Sequence, residues 1–270
     1  MLTFGACLDG FLQFGIEPHG HDGWTQILMT TTLAGAGHGA PISSATSFAT
    51  VQDESLRTPT TEPRLTPRLR LEPVSSANAH DLWLVHNDDE VAQWYDGWKP
   101  SVEEAEHRAK FMGDSWRLHE VHKWIAYDRV SGEVVGRGGL SRTPIDDDWG
   151  QVYAFLPPEP WVRVAHESDQ PFSAHARWLE IGWALRREFW GRGYASEIGR
   201  AGLAFAFDVL GVDAVVSCTV RHNARSLAVM QRIGMRYAGE IRGRGMVEGS
   251  DEEQDDAPFA LCVMLREDWR

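Results

Sequence analysis

The sequence predicts an α/β (α+β) domain: a mixed central sheet of about seven strands with about four helices packed on it. Three observations carry this. From Thr66 onward, short apolar or alternating runs recur between helical stretches. Residues 179–196 read as a strand, a glycine-bearing turn and a helix start in direct succession. The unbroken apolar stretch 214–216 has the pattern of a buried parallel strand.

Residues 1–64 stand apart from the rest. The stretches 30–32, 35–41 and 43–50 are rich in Gly, Ala, Ser and Thr, and Pro59, Pro63 and Pro67 follow. Such a segment buries too little apolar surface to offset its ordering entropy. It is expected to be a disordered extension without a catalytic role. It is not a secretory signal, because no Lys or Arg precedes the apolar residues near Met1. Met29 is an alternative start.

The folded domain is expected over residues 65–270. Residues 68–74 alternate polar and apolar as a half-exposed strand does. Ser75 or Ser76 then caps a helix over 77–87, with Leu82, Trp83 and Val85 inward. Trp94, Tyr95 and Trp98 form an aromatic cluster, suited to the core or to a substrate-pocket wall. Ser101 and Glu104 are spaced as a capping box, opening a helix to about Leu118. Strands over 122–129 and 133–141 flank the turn Ser131-Gly132. Gly136, Gly138 and Gly139 mark a bulge or a close approach to the backbone. Residues 143–177 form a long loop insertion with Pro144, Pro157, Pro158, Pro160 and Pro171. Its Asp146, Asp147 and Asp148 precede Trp149, Tyr153, Phe155 and Trp161, which suits either a cation pocket or a solvated insertion. The strand 178–185 follows. The helix 196–210 is apolar almost all round from 201 to 207, hence central, and Gly211 ends it. A strand over 213–220 precedes a helix over 223–233 that Gly234 closes. The strands 236–246 and 258–266 form a terminal antiparallel pair with an exposed acidic connection, 248–256.

Composition narrows the function classes. In 270 residues, 43% hydrophobic and 24% charged content is ordinary for a soluble globular protein. No apolar run approaches the ~18 residues that span a bilayer, so no membrane partner is expected. Net charge -13 argues against nucleic acid. It suits a cationic substrate or simple solubility. Cys7, Cys218 and Cys262 are too scattered for a disulfide framework, and no Cys-x-x-Cys spacing exists. A reducing, cytoplasmic setting fits. The 11 histidines include no helical ligand pair, so no metal is expected.

The chemistry gathers around residues 186–195. Gly191 and Gly193 let the backbone turn with positive φ and approach a ligand closely. The first N–H groups of the following helix lack intrahelical partners and carry partial positive charge. Phosphate suits such a place, and Arg186, Arg187 and Arg192 add full charges.

With these elements in order, the chain resembles the GCN5-related N-acetyltransferase (GNAT) superfamily, in its RimJ/RimL-like branch, over roughly residues 66–270. Trp190-Gly191-Arg192-Gly193-Tyr194-Ala195 resembles the branch's pyrophosphate loop, with Trp190 where many relatives have Gln or Arg. Glu180-Ile181-Gly182-Trp183 is similar to the family's fourth strand. Asn223-x-x-Ser226 followed by Arg232-x-Gly234-Met235 is similar to the block after the fifth. The opening Thr66-Pro67-Arg68-Leu69-Arg70-Leu71 and the closing Arg266-Glu267-Asp268-Trp269 also look like the branch.

The resemblance implies splayed fourth and fifth strands with acetyl-CoA between them, and no metal. Trp183, Ala184 and Leu185 would pair with the pantetheine arm. The N–H groups of Trp190, Gly191, Arg192, Gly193, Tyr194 and Ala195 would hold the pyrophosphate, assisted by Arg187 and Arg192. Asn223 would bind pantetheine or water, or cap the helix. Glu180 would act as general base or only orient the amine. Many relatives place a tyrosine acid seven residues after the Asn; here that position is Met230, leaving Ser226 or water to protonate the thiolate. The implied function is an acyltransferase acetylating a primary amine, on a protein N-terminus or a small molecule. The alternative is a catalytically weak acyl-CoA-binding regulatory module. The resemblance is compatible with a homodimer.

Overall fold

A computed structural model describes residues 61–95, 97–142, 150–156, 178–250 and 253–270. Residues 1–60 of the expected extension 1–64, Cys7, most of the 143–177 insertion, Asp146 to Trp149 and Trp161 lie outside the described residues.

The architecture is one mixed sheet of eight strands in the order β1-β2-β3-β4-β5-β6-β8-β7. The strands are β1 (Arg64–Leu65), β2 (Leu69–Pro73), β3 (Lys123–Asp128), β4 (Val134–Ser141), β5 (Trp178–Leu185), β6 (Ala214–Val220), β7 (Arg236–Met246) and β8 (Glu253–Leu265). The helices are α1 (Ala79–His86), α2 (Asp89–Ala92), α3 (Val102–His119), α4 (Tyr194–Ala204) and α5 (Ala224–Arg232). The additions to the expected set are the two-residue β1 and the single turn α2. Both are too short to show a periodicity of their own.

Local chemistry sets the boundaries. Ser101 Oγ accepts from the Glu104 N–H at 3.1 Å, and Glu104 Oε2 accepts from the Ser101 N–H at 2.7 Å. This capping box starts α3. Asp88 caps α2 by accepting from Glu90 and Val91. The glycines of β4 answer to close approach: a Cβ on Gly136 would lie 2.4 Å from the Ala184 carbonyl oxygen, and one on Gly138 2.7 Å from Ile198 Cγ2. The irregularity foreseen there is a register shift between Ala126 and Tyr127 opposite β4.

One expected connection is shorter than read. Residues 253–256 are not loop but the start of β8, with Met246 opposite Glu253. Arg244 holds Glu253 at 2.6 Å across the two strands, so Glu253 gains a cross-strand partner where the ladder extends.

Side chains from the two sheet faces form three packed groups. Trp116, Trp124, Phe205, Phe207, Leu179 and Ile181 join the sheet to α4. Leu82, Val85, Met112 and Ile125 join it to α1 and α3. Val152 and Leu156 pack with Val216, Cys218 and Leu261. The described part of the insertion is thereby anchored: Gln151 donates to the Arg242 carbonyl at 2.7 Å and accepts its N–H at 2.9 Å. Tyr153 meets Trp178 edge-on at 5.9 Å.

β5 and β6 are the parallel pair, and they pair only over Trp178–Glu180 against Ala214–Val216. Beyond Glu180, β5 keeps its register with β4 to Leu185, and β6 keeps its register with β8 to Val220. The sheet therefore opens between them at their C-terminal ends, the splay expected of the fourth and fifth strands.

Candidate active site

The opening is where the sequence motifs converge. The strand end 183–185, Arg187, the loop 190–195, and Asn223 and Ser226 line one cleft of about 900 Å³. Each comes from a different element that ends or begins at the parting of β5 and β6, so the topology assembles the site.

The loop turns on two left-handed glycines and presents main-chain donors to the cleft. After β5, a single 3₁₀ turn, Arg187–Phe189, lets the Trp190 indole donate to the Leu185 carbonyl at 2.7 Å. Gly191 at φ 74° and Gly193 at φ 81° then take the left-handed conformation. Gly193 is the N-cap of α4. Among the described residues, nothing accepts from the N–H groups of Gly191, Arg192 or Gly193. These donors sit at the positive end of a helix.

The three loop arginines differ in their partners. Arg186 pairs with Glu188, and Arg187 pairs with Glu90 while lying 4.9 Å over the Trp190 ring. Arg192 has no carboxylate partner among the described residues and stacks 5.7 Å from the Phe189 ring. Arg225 covers Trp190 at 5.1 Å. Trp190, the departure from the common motif, is thus a platform for two guanidinium groups.

Two straps hold the loop from outside. Arg68, just before β2, donates to the Arg192 carbonyl at 2.8 Å. It also forms a forked pair with Glu197, Nε and Nη2 each 2.7 Å from Oε2. The Tyr194 hydroxyl donates to Asp128 Oδ2 at 2.7 Å. Hydrogen bonds from the Ser131 N–H, from Tyr194 and from the Val130 N–H hold the Asp128 carboxyl down at about 2. The bond to Asp128 in turn raises the Tyr194 phenol.

On the other wall, Asn223 Oδ1 accepts from the Ser226 N–H at 3.1 Å, capping α5. This leaves the half-buried Ser226 on the cleft wall. Met230, one turn on, is buried in the same core group as Ile198 and Cys262. Trp94 and Tyr95 line the cleft as well as packing in the core, while Trp98 lies against His86 and Arg108 instead.

Glu180 does not line this cleft. It is 1% exposed, and its Oε2 accepts from Lys123 Nζ at 2.6 Å and from Ser141 Oγ at 2.9 Å. Lys123 is fully buried and also donates to the Gly139 carbonyl at 3.1 Å. Nearby, Arg137 donates to His86 Nε2 at 3.0 Å and to the Tyr95 oxygen at 3.1 Å. Burial, then Arg137 and Arg108, push the His86 imidazole well below its usual range, so it is neutral.

Lys123, Arg137 and Arg68 were not singled out in the sequence. For Lys123 the available signal was its place in the inward alternation Lys123, Ile125, Tyr127. For Arg68 it was membership of the opening motif.

The acetyltransferase (GNAT) domain family matches this chain over residues 68–236. The chain is similar to the uncharacterized protein YkkB of Bacillus subtilis, 26% identical over 179 residues, covering 66% of this chain and 87% of that one. It is similar to the FsC-acetyl coenzyme A-N(2)-transacetylase of Aspergillus fumigatus, 28% identical over 102 residues. That match covers 38% of this chain and only 42% of the relative. Among solved structures, the ribosomal-protein-S5-alanine acetyltransferase of Vibrio fischeri superposes with TM-score 0.54 at 12% identity, covering 77% of this chain and 99% of that one. This last likeness concerns the fold.

Proposed function

The chain belongs to the GNAT acetyltransferase family, and from that premise we propose that it transfers the acetyl group of acetyl-CoA to a primary amine. The observation that carries the donor is the single cleft shared by the open strand end, the unpartnered loop N–H groups and the Asn223–Ser226 cap. Residues 183–185 would pair with the pantetheine arm along the unpaired side of β5. The N–H groups of residues 190–195 would take the diphosphate, assisted by Arg192, which has no carboxylate partner among the described residues, and by Arg187, which shares its charge with Glu90. Ser226 would protonate the leaving thiolate directly or through water, since Met230 has no acidic proton. Holding thioester and amine together would contribute proximity to the rate. The acceptor is a protein N-terminus or a small-molecule amine; the name of the Aspergillus relative supports acetyl-CoA as donor. The catalytic unit is the domain 65–270. Buried free Cys218 and Cys262 accord with a reducing cytoplasm.

Glu180 is the proposed base, receiving the amine proton through a water. The Lys123 ion pair favours a second reading, in which Glu180 and Lys123 brace β3, β4 and β5 and the amine arrives already neutral. With Met230 in place of a tyrosine, this reading also keeps alive the catalytically weak acyl-CoA-binding module.

Calorimetric titration with acetyl-CoA, together with free-thiol release across an amine panel, tests the proposal. We expect binding, a raised melting temperature by mass action, and CoA release with at least one amine. Gly193→Asp, which sets a charged side chain at a left-handed glycine in the anion loop, abolishes binding. Binding without thiol release from any amine selects the regulatory module. Undiminished binding by Gly193→Asp overturns the donor site.

A further inference from the structure

We infer that Arg68 is a positioning residue for the donor's diphosphate: it fixes the loop N–H groups toward the anion and masks a carboxylate that would repel it. The inference rests on the acetyl-CoA reading above.

The peptide between Arg192 and Gly193 is planar, with its C=O and N–H pointing in opposite directions. Arg68 Nη1 holds that C=O at 2.8 Å. The Gly193 N–H is therefore aimed away from Arg68, and no described group accepts from it. Gly193 samples left-handed and right-handed backbone almost equally well when unrestrained. Loss of the Arg68 bond frees the peptide plane to rotate, and the donor then pays the ordering entropy on binding.

Arg68 is itself clamped. Its own N–H donates to Glu197 Oε1 at 2.8 Å, its Nε and Nη2 grip Oε2, and its guanidinium lies 4.3 Å over the Tyr194 ring. Thr66 Oγ1 completes the set, donating to Glu197 Oε1 at 2.6 Å. Burial raises the Glu197 carboxyl, but the bonds from Thr66 and Arg68 outweigh it and hold the group below its usual value. Glu197 is thus ionised in the first turn of α4, where its charge suits the helix but opposes an incoming diphosphate. The Arg68 charge cancels it at contact distance. Arg68 therefore orients the loop without spending its own charge on the ligand, leaving that to Arg192.

The test uses full-length wild type, Arg68→Met and Arg68→Lys, titrated with acetyl-CoA by calorimetry. Acetyl-CoA KM and kcat for thiol release are measured on the same preparations. Arg68→Met is expected to raise Kd and KM about tenfold to a hundredfold, the scale of a lost charge-assisted bond, and the loss falls on KM rather than kcat. Arg68→Lys keeps a cation beside Glu197 but cannot grip both Glu197 and the Arg192 carbonyl, so it falls between. Adding Glu197→Gln to Arg68→Met recovers part of the affinity by removing the bare carboxylate. Unchanged Kd in Arg68→Met, or a loss confined to kcat, overturns the inference. If Arg68→Met does not fold, wild-type affinity in folded Arg68→Lys overturns it. Absence of acetyl-CoA binding by wild type removes the donor assignment itself. Tight wild-type binding with indifferent Arg68 variants removes this inference alone.

Discussion

Glu180 shows how one side chain can satisfy a motif and still change its meaning. Its place before Ile181-Gly182-Trp183 was legible in the sequence, because strand spacing fixes it. Its partner was not, because Lys123 lies on β3 and reaches Glu180 only after β4 is threaded between them. The two readings of Glu180 separate in a pH–rate profile. As a base, Glu180→Gln loses about 10²–10⁴ in kcat/KM at neutral pH, and the loss shrinks as pH rises and more amine arrives deprotonated. As a brace, the variant strands the Lys123 ammonium in the interior. Melting temperature then falls by several degrees, consistent with the ~3–5 kcal/mol cost of breaking a buried pair, while surviving folded enzyme keeps its pH profile. Equal kcat at every pH in folded Glu180→Gln excludes the base. Gly193 and Asn223 were legible for the opposite reason: their roles are local, a positive φ and a cap three residues on, and local geometry is written in local sequence.

Among the elements, β4 and α4 set the shape of the cleft, since β5 is pressed against both. A Cβ on Gly136 meets the main-chain oxygen of Ala184 at 2.4 Å, and β5 must shift to admit it. A Cβ on Gly202 of α4 meets only the Cδ1 tip of Ile181 at 2.7 Å, which can turn aside. Gly136→Ala is therefore expected to lower stability by about 1–3 kcal/mol, as overpacking does, and to weaken acetyl-CoA binding. Gly202→Ala stays within about 1 kcal/mol, because the gain in helix propensity offsets the contact. Urea midpoints of the two variants check this; equal midpoints refute the contrast. The glycines were readable as close approaches, but which neighbour approaches was not, because the register of β4 on β5 depends on chain far away. The extra length of β8 escaped notice for a similar reason. The polar run 253–256 looks like loop until Arg244 is found paired with Glu253.

At the scale of the whole molecule, the buried histidines tie stability to acidity. Burial, then Arg137 and Arg108, depress His86; burial, then Lys123, Arg137 and His119, depress His122. Both stay neutral when folded, whereas the unfolded chain takes up their protons near pH ~6.5. Protonation thus favours unfolding: stability is fully present above that pH and falls as pH drops through it. Each histidine contributes a slope of about 1.4 kcal/mol per pH unit. Chemical denaturation at pH 7, 6 and 5 should show the decline, and His86→Gln, which can still accept from Arg137, should make it shallower by the share of His86, leaving that of His122. A flat wild-type profile over that range refutes the assignment. The parting of β5 and β6 also bears on how copies of the chain meet one another. A strand with unused main-chain groups is a template on which a second chain can add and grow into aggregates. The outer borders of this sheet are blunted: β1 is two residues long, and the ladder between β7 and β8 slips register between Tyr237 and Gly239 and again between Gly243 and Gly245. The longest run of unshared main chain on β5 is turned inward instead, walled by Trp190, Arg225 and Ser226. There a slender ligand can reach it, and another sheet cannot.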